Sequence, residues 1–162
     1  MVSIMNEALE LEIGQQVLEV GTGCGWHAAT VAEIVAPSDT AREKCGHVFT
    51  LEIVPELANI ARKNLKDAGF DTRVTVVDGD GSTGYPEKSP YIRILATAAA
   101  PAVPQPLIDQ LSICGVIVLP VGGASLFQSL MRVRKLANGR IKREDLGGVA
   151  FVPLTGRFGH RG

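Results

Sequence analysis

The sequence predicts an α/β fold, a doubly wound and mostly parallel sheet with antiparallel strands at its C-terminal end. Short apolar runs alternate with helical patterns from residue 17 to residue 119, which is typical of parallel strands joined by crossover helices. A glycine cluster follows the first apolar run, as in sheets that bind a ligand at the end of a strand. Further on, the turn Ala137–Arg140 separates two strand patterns, which predicts antiparallel pairing.

Each predicted element has a boundary signal in the sequence. The chain opens in an amphipathic helix, containing Met5 and Leu9, that we expect Gly14 to end. Pro55 suits the first turn of the longest helix, and Gly69 suits its C-terminal cap. The predicted strands are 17–20, 47–51, 74–77, 92–96, 116–119, 126–134 and 149–152, and the later helices are 28–35, 55–68 and 106–111.

Size and charge limit the classes of function. The 162 residues, 46% hydrophobic and 20% charged, predict one globular domain over residues 1–162. The formal net charge of −1 gives no reason to expect nucleic acid or a membrane surface as a partner. Basic residues do cluster between Arg132 and Arg143, but Glu144 and Asp145 follow at once, so we expect a solvated hairpin there.

Cysteine usage and the chain start predict a cytoplasmic protein. The three cysteines are widely spaced and fit neither a disulfide framework nor a zinc site, so no metal is expected. Residues 1–14 lack the basic start and unbroken apolar core of a signal peptide. No apolar run approaches the roughly 20 residues that a membrane helix needs.

The glycine cluster indicates which kind of ligand the crevice holds. Gly21, Gly23 and Gly25 form a G-x-G-x-G pattern, and Trp26 stands where a dinucleotide fingerprint has its helix-packing glycine. Dinucleotide binding is therefore disfavoured, and no Gly-Lys-Ser/Thr follows that would indicate a P-loop.

Acidic residues follow the first three strands of the predicted sheet. Glu19, before the glycines, suits a ligand with an ammonium or sulfonium group, and Glu52 can accept hydrogen bonds from both ribose hydroxyls. Asp80 can accept from an adenine amine. Together these acids predict S-adenosyl-L-methionine as the cofactor. Its expected site comprises Glu19, Gly21, Thr22, Gly23, Gly25, Glu52, Ile53, Asp80 and Gly81.

Several stretches make the chain resemble the protein-L-isoaspartate O-methyltransferase family. They are VLEVGTGCGWHAA (17–29), LEIVPELANIARKNL (51–65), GDGSTGYPEKSPY (79–91), ATAAAPAVPQPLIDQL (96–111), LPVGG (119–123) with Gln128, and FVPLTG (151–156). The resemblance implies a Rossmann-like class I methyltransferase and places Gln128 near the cofactor. It also implies protein repair: isoaspartyl residues of damaged proteins or peptides are methylated on the α-carboxylate, and the ester cyclises to a succinimide.

The residues agree with that chemistry. A carboxylate is ionised at neutral pH and needs no strong base to attack a sulfonium methyl group. Thr97 and Ala98, at the end of the fourth strand, fit a crevice wall that contacts the substrate. A packed helix–sheet contact explains the alanines equally well. A Cys24–His27 thiol–imidazole pair is disfavoured, because no orienting acid accompanies it.

The sequence departs from the family pattern in two places. Ile92 stands where relatives usually have an aspartate. The family also has a long segment, with its catalytic residues, before the first helix, so the catalytic residues are unknown here. A fragment, a misassigned start codon or a truncated gene would each explain this. Uncovered apolar surface would then favour self-association. The alternatives are a cofactor-binding module without an acceptor site and a methyltransferase for another small acceptor.

Overall fold

A seven-stranded sheet forms the centre of the molecule. The computed structural model describes residues 1–124 and 127–160; Leu126, the first residue of one predicted strand, lies outside them. The strands are β1 (Gln16–Val20), β2 (His47–Glu52), β3 (Val74–Asp78), β4 (Tyr91–Ala96), β5 (Leu111–Gly122), β6 (Gln128–Lys135) and β7 (Ile141–Val149). The helices are α1 (Val2–Leu9), α2 (Trp26–Val35), α3 (Pro55–Asp67) and α4 (Gln105–Asp109).

The strand order confirms the predicted fold class. The sheet runs β3-β2-β1-β4-β5-β6-β7, with parallel pairing from β3 to β5 and antiparallel pairing of β5 with β6 and of β6 with β7. From β1 the chain moves outward through β2 and β3 and then returns to β4, on the other side of β1. This reversal opens a crevice at the carboxyl ends of β1 and β4, where ligands of such sheets bind.

Apolar layers cover both faces of the sheet. On one face, Val17 and Leu95 pack in a cluster with Met5 and Leu9 of α1 and Val31 of α2. On the other face, a second cluster contains Leu18, Ile94, Ile117, Tyr91 and Leu107. Strands buried on both sides keep β1 and β4 rigid, so the loops that follow them are held in fixed positions. Within the described part of the chain, no helix has the length and apolarity that crossing a membrane requires.

The first helix is shorter than predicted. It ends at Leu9 instead of continuing to Gly14, because Glu10 adopts a left-handed conformation with φ of 54°. The buried Arg93 of β4 fixes this turn by donating from Nε (3.2 Å) and Nη2 (3.0 Å) to the carbonyl of Glu10. The carboxylate of Glu10 also pairs with Arg134, and Arg132 pairs with Glu144 at 2.8 Å. The basic cluster thus lies on the β6–β7 hairpin, and two of its members, Arg132 and Arg134, pair with acids.

The last strand also differs from the prediction. Residues 149–152 were expected to form it, but β7 covers Ile141–Val149 directly after the turn. This edge strand carries charged side chains on both faces, so the sequence shows no apolar alternation there. The residues beyond β7 turn back across the sheet, and Pro153 forms a parallel bridge with Ala99. The C-terminal segment therefore lies beside the crevice.

Candidate functional site

A cleft of about 270 Å³ lies at the carboxyl end of the central strands. The loops that follow β1, β2 and β4 and the 3-10 turn after β3 form its floor and three sides, and residues Val152 to Thr155 form the remaining wall. Predicted site residues that line this cleft are Gly21, Gly23, Glu52, Ile53, Gly81, Thr97 and Ala98. Seven of the fifteen residues that line the cleft were therefore predicted, and the C-terminal wall was not.

The glycine loop adopts backbone conformations that other residues rarely accept. Gly21, Gly23 and Gly25 have φ values of 94°, 54° and 87°. The hydroxyl of Thr97 donates to the carbonyl of Gly21 at 2.6 Å, and a side chain at Gly21 would meet that hydroxyl oxygen at 2.4 Å. Loops from neighbouring strands are thus joined at Gly21, whose own N–H donates to the carbonyl of Leu51 at 2.9 Å.

Gly25 is the glycine that allows close helix packing, a role for which the sequence indicated no residue, because Trp26 stands at the usual position. A β-carbon at this position would lie 3.0 Å from Cγ of Leu65 on α3. The glycine therefore permits close approach of α2 and α3, while Trp26 begins α2 with 67% of its surface exposed. The departure from the dinucleotide pattern at Trp26 thus leaves helix packing intact.

Glu52 braces the cleft from the end of β2. Its carboxylate is nearly buried, with Oε2 accepting from the Gly23 N–H at 2.9 Å and Oε1 from the Val54 N–H at 3.1 Å. Each carboxylate oxygen can accept a second hydrogen bond. The side chain can therefore hold the glycine loop and still receive two hydroxyl groups of a ligand.

Glu19 lies beneath the glycine loop, not in the cleft. Its side chain is fully buried; Oε2 accepts from the Thr50 hydroxyl at 2.5 Å, and Thr50 Oγ1 is 2.7 Å from Thr22 Oγ1. Among the described residues, Oε1 has no hydrogen-bond partner. Burial raises the pKa of this carboxyl to about 8; the Thr50 hydrogen bond opposes that rise and the Glu52 charge adds to it. At neutral pH the group holds a proton.

Two predicted cofactor residues, Asp80 and Gln128, hold the C-terminal segment. Asp80 accepts from Ser82 N and Oγ through Oδ1 (2.9 and 2.6 Å) and from the Arg157 N–H through Oδ2 (2.7 Å). Gln128 accepts from the Phe151 N–H at 2.6 Å and donates to the Phe151 carbonyl at 3.0 Å. Neither side chain lines the cleft. The contacts with Arg157 and Phe151 could not be predicted from the sequence, because they are made to backbone groups distant along the chain.

A second cleft, of about 280 Å³, lies across the glycine loop from the first. Both clefts share Gly21, Gly23 and Thr97, and the remaining wall is mostly apolar, formed by Met1, Val2, Met5, Trp26 and Phe151. His27 also borders it, and its Nε2 lies 2.9 Å from Asn6 Oδ1. Burial lowers the pKa of His27 to about 4, so its ring is neutral. This imidazole is paired with an amide and not with Cys24.

Comparison with known proteins identifies the family. Residues 1–159 match the model of the family described as protein-L-isoaspartate(D-aspartate) O-methyltransferase. The chain belongs to the protein-L-isoaspartate O-methyltransferase family. It is 54% identical over 161 residues to a protein of that name from Hyperthermus butylicus, and 53% identical over 160 residues to one from Korarchaeum cryptofilum. These alignments cover 99% and 98% of this chain and 66% and 72% of the relatives.

Solved structures of the family have the same fold. A protein-L-isoaspartate O-methyltransferase with 27% identity superimposes with a TM-score of 0.84, over 98% of this chain and 47% of the other. A Plasmodium falciparum protein, described as a complex with S-adenosyl-L-homocysteine, is 22% identical with a TM-score of 0.78, over 95% of this chain and 71% of its own. The chain thus spans about two thirds of the curated relatives and about half of the first of these structures.

Proposed function

We propose that this chain binds S-adenosyl-L-methionine and transfers its methyl group to the α-carboxylate of L-isoaspartyl residues in damaged proteins. One observation carries the proposal. The cleft braced by Glu52 meets a second, apolar cleft at Gly21 and Thr97. Two ligands can therefore meet at the carboxyl ends of β1 and β4, which is the arrangement that group transfer between a cofactor and an acceptor requires.

The first cleft suits the cofactor. Glu52 would accept from the two ribose hydroxyls while its oxygens continue to hold Gly23 and Val54. Ile53 and Gly81 offer apolar and flat surface for the adenine, and Gly21 and Gly23 allow close approach of the methionine portion. Glu19 and Thr22 support the glycine loop from below. Asp80 follows β3 beside Gly81, and Gln128 secures the adjoining wall.

The second cleft suits the acceptor. When bound, S-adenosyl-L-methionine supplies an electrophilic methyl group on a sulfonium. A carboxylate acceptor is already ionised at neutral pH, so the chain needs only to orient it and exclude water. Met5, Trp26 and Phe151 provide the apolar wall that excludes water. Thr97, fixed by its bond to the Gly21 carbonyl, and the small Ala98 lie where the two ligands meet.

A methyl-transfer assay tests this function. The protein is incubated with S-adenosyl-L-methionine labelled in the methyl group and with an isoaspartyl peptide or its aspartyl twin. We expect label on the isoaspartyl peptide and none on its aspartyl twin. Mild base should release the label, because the product is a carboxyl methyl ester. No label on either peptide, together with measurable binding of S-adenosyl-L-homocysteine, would leave a cofactor-binding module. Label on a different small acceptor would mean that the chain is a methyltransferase with another substrate.

We also infer that the chain associates with itself through the apolar surface around the second cleft. Met1 and Trp26 line that cleft with 52% and 67% of their surfaces exposed, and Ile4 of the adjoining α1 is 54% exposed. Sedimentation velocity should show dimers that grow with concentration and that the variant Ile4→Lys weakens by at least tenfold. The control variant Ile60→Lys changes an equally apolar, exposed position on α3. A monomer at all concentrations would contradict the inference.

The free cysteines support a cytoplasmic location.

A further inference from the structure

We propose that Asp80 and Gln128 are positioning residues that hold residues 151–158 as a wall of the cofactor cleft, and that cofactor binding and closure of this wall reinforce each other. The proposal rests on the cofactor assignment made above and adds a role for this segment. Residues 151–158 are called the wall segment below.

The wall segment borders both clefts. Phe151 borders the acceptor cleft, whereas Val152, Pro153, Leu154 and Thr155 line the cofactor cleft. It belongs to no helix or strand of the sheet. Two backbone hydrogen bonds attach it to the loop after β4, from the Ala99 N–H to the Val152 carbonyl and from the Leu154 N–H to the Ala99 carbonyl, each 2.8 Å. Because Val152 remains 68% exposed, a bound ligand can cover apolar surface on this wall.

Asp80 fastens the far end of the wall segment to the turn after β3. Its Oδ2 accepts from the Arg157 N–H, and the fully buried Ser82 hydroxyl accepts from the Phe158 N–H at 3.0 Å. The approach is close, since a β-carbon at Gly156 would lie 2.0 Å from Asp80 Oδ1, and Gly156 has φ of 127°. The next residue along, Gly81, lines the cleft. The turn that carries the adenine surface and the wall opposite it are therefore one connected unit.

Gln128 fastens the near end. Its buried amide pairs with both backbone groups of Phe151 and donates a further bond to the Gly123 carbonyl at 3.1 Å. This pairing needs a donor and an acceptor on one side chain, which glutamine has and glutamate lacks at neutral pH. The amide therefore holds the segment through two hydrogen bonds, one to the N–H and one to the carbonyl of Phe151. Neither side chain lines the cofactor cleft, so each anchor can act on a ligand through the wall that it holds.

Reciprocal coupling follows from this arrangement. A ligand that contacts the closed wall stabilises the closed wall, and a variant that lowers the population of the closed wall raises the Kd by the factor by which that population falls. Asp80→Asn tests the distal anchor, because asparagine can accept through one oxygen only and cannot serve both Ser82 and Arg157. Asp78→Asn is the matched control: it removes the same charge two residues earlier, where the partner is Arg62 of α3.

The experiment measures tryptic cleavage after Arg157 and the affinity for S-adenosyl-L-homocysteine in the same samples. We expect this ligand to slow cleavage of the unmodified protein at least fivefold. In Asp80→Asn and in Gln128→Glu, cleavage without ligand should be about tenfold faster and the Kd about tenfold higher. The Asp78→Asn values should match those of the unmodified protein. In turnover, the KM for the cofactor should rise while kcat at saturating cofactor stays within twofold.

Three outcomes would overturn the proposal. The first is saturating ligand that leaves cleavage of the unmodified protein unchanged. The second is faster cleavage in the variants with an unchanged Kd. The third is an unfolding temperature that falls equally in every variant, including Asp78→Asn, while the Kd stays unchanged. That result would mean that the substitutions affect only stability. Absence of ligand binding by the unmodified protein would instead defeat the cofactor assignment and this proposal together.

Discussion

Glutamine in place of Glu52 will weaken binding of S-adenosyl-L-homocysteine by about a hundredfold. Hydrogen bonds to a charged acceptor contribute about 1.5–3 kcal/mol each, and a hundredfold loss corresponds to about 2.8 kcal/mol. The glutamine amide would also direct a donor at one of the two backbone N–H groups, of Gly23 or Val54, that the carboxylate now satisfies. The substitution therefore removes a ribose acceptor and loosens the glycine loop.

Isothermal titration measures this loss, with Glu56→Gln as the control. Glu56 lies exposed in the first turn of α3, so its replacement removes the same charge near the same loop without touching the cleft. We expect the control to bind within twofold of the unmodified protein. If Glu52→Gln bound with unchanged affinity, the ribose would have to lie elsewhere and the cofactor site would need to be reassigned.

Glutamine in place of Glu19 will change how stability depends on pH. In the folded, cofactor-free protein, burial raises the pKa of this carboxyl from 4.5 to about 8. The folded state therefore binds more protons than the unfolded state between these values, so its stability falls as pH rises through that window. The loss contributed by Glu19 is about 5 kcal/mol between pH 4.5 and pH 8. A neutral glutamine of the same shape removes it.

His27 contributes a slope of opposite sign. Its pKa is lowered from 6.5 to about 4, so the unfolded state binds the extra proton and stability rises as pH rises through that range. From about pH 4.5 to 6.5 the two slopes offset each other, and from pH 6.5 to 8 only the Glu19 slope remains. These two groups therefore predict a level region followed by a decline for the unmodified protein.

Urea unfolding at half-unit steps between pH 4.5 and 8.5 tests both statements. Glu19→Gln should show stability that rises to about pH 6.5 and then stays level, whereas His27→Gln should show a decline from pH 4.5 onward. The difference in unfolding free energy between Glu19→Gln and the unmodified protein isolates the carboxyl from all other titrating groups. A difference that does not vary with pH would mean that Glu19 is ionised in the folded protein.

Local patterns in the sequence were sufficient to predict the centre of the site. A strand followed by glycines and a helix can form in few ways, so Gly21, Gly23 and Glu52 could be placed in the cleft without a structure. The burial of Glu19 could not be predicted in the same way. The sequence shows that Glu19 lies near the end of a strand, but only the packed layers determine that its carboxylate is fully buried.

The C-terminal wall could not be predicted for a physical reason. Residues 151–158 have no helical or alternating period, and their partners are Ala99, Gln128 and the turn after β3. Such pairs are formed by backbone groups, which every residue type provides, so side-chain identity does not indicate them. The same reason explains why the sequence did not indicate that Asp80 and Gln128 hold this segment; their contact with the cofactor stays a prediction.

The position of β1 has a consequence for synthesis of the protein. On one side β1 pairs with β2, which begins at His47. On the other side it pairs with β4, which begins only at Tyr91. At about 5–20 residues per second, a ribosome takes several seconds to add the residues between β1 and β4. Throughout that time one edge of an apolar strand is open to pairing with other nascent chains. A protein proposed to repair damaged chains therefore depends on protection of its own central strand while it is being made.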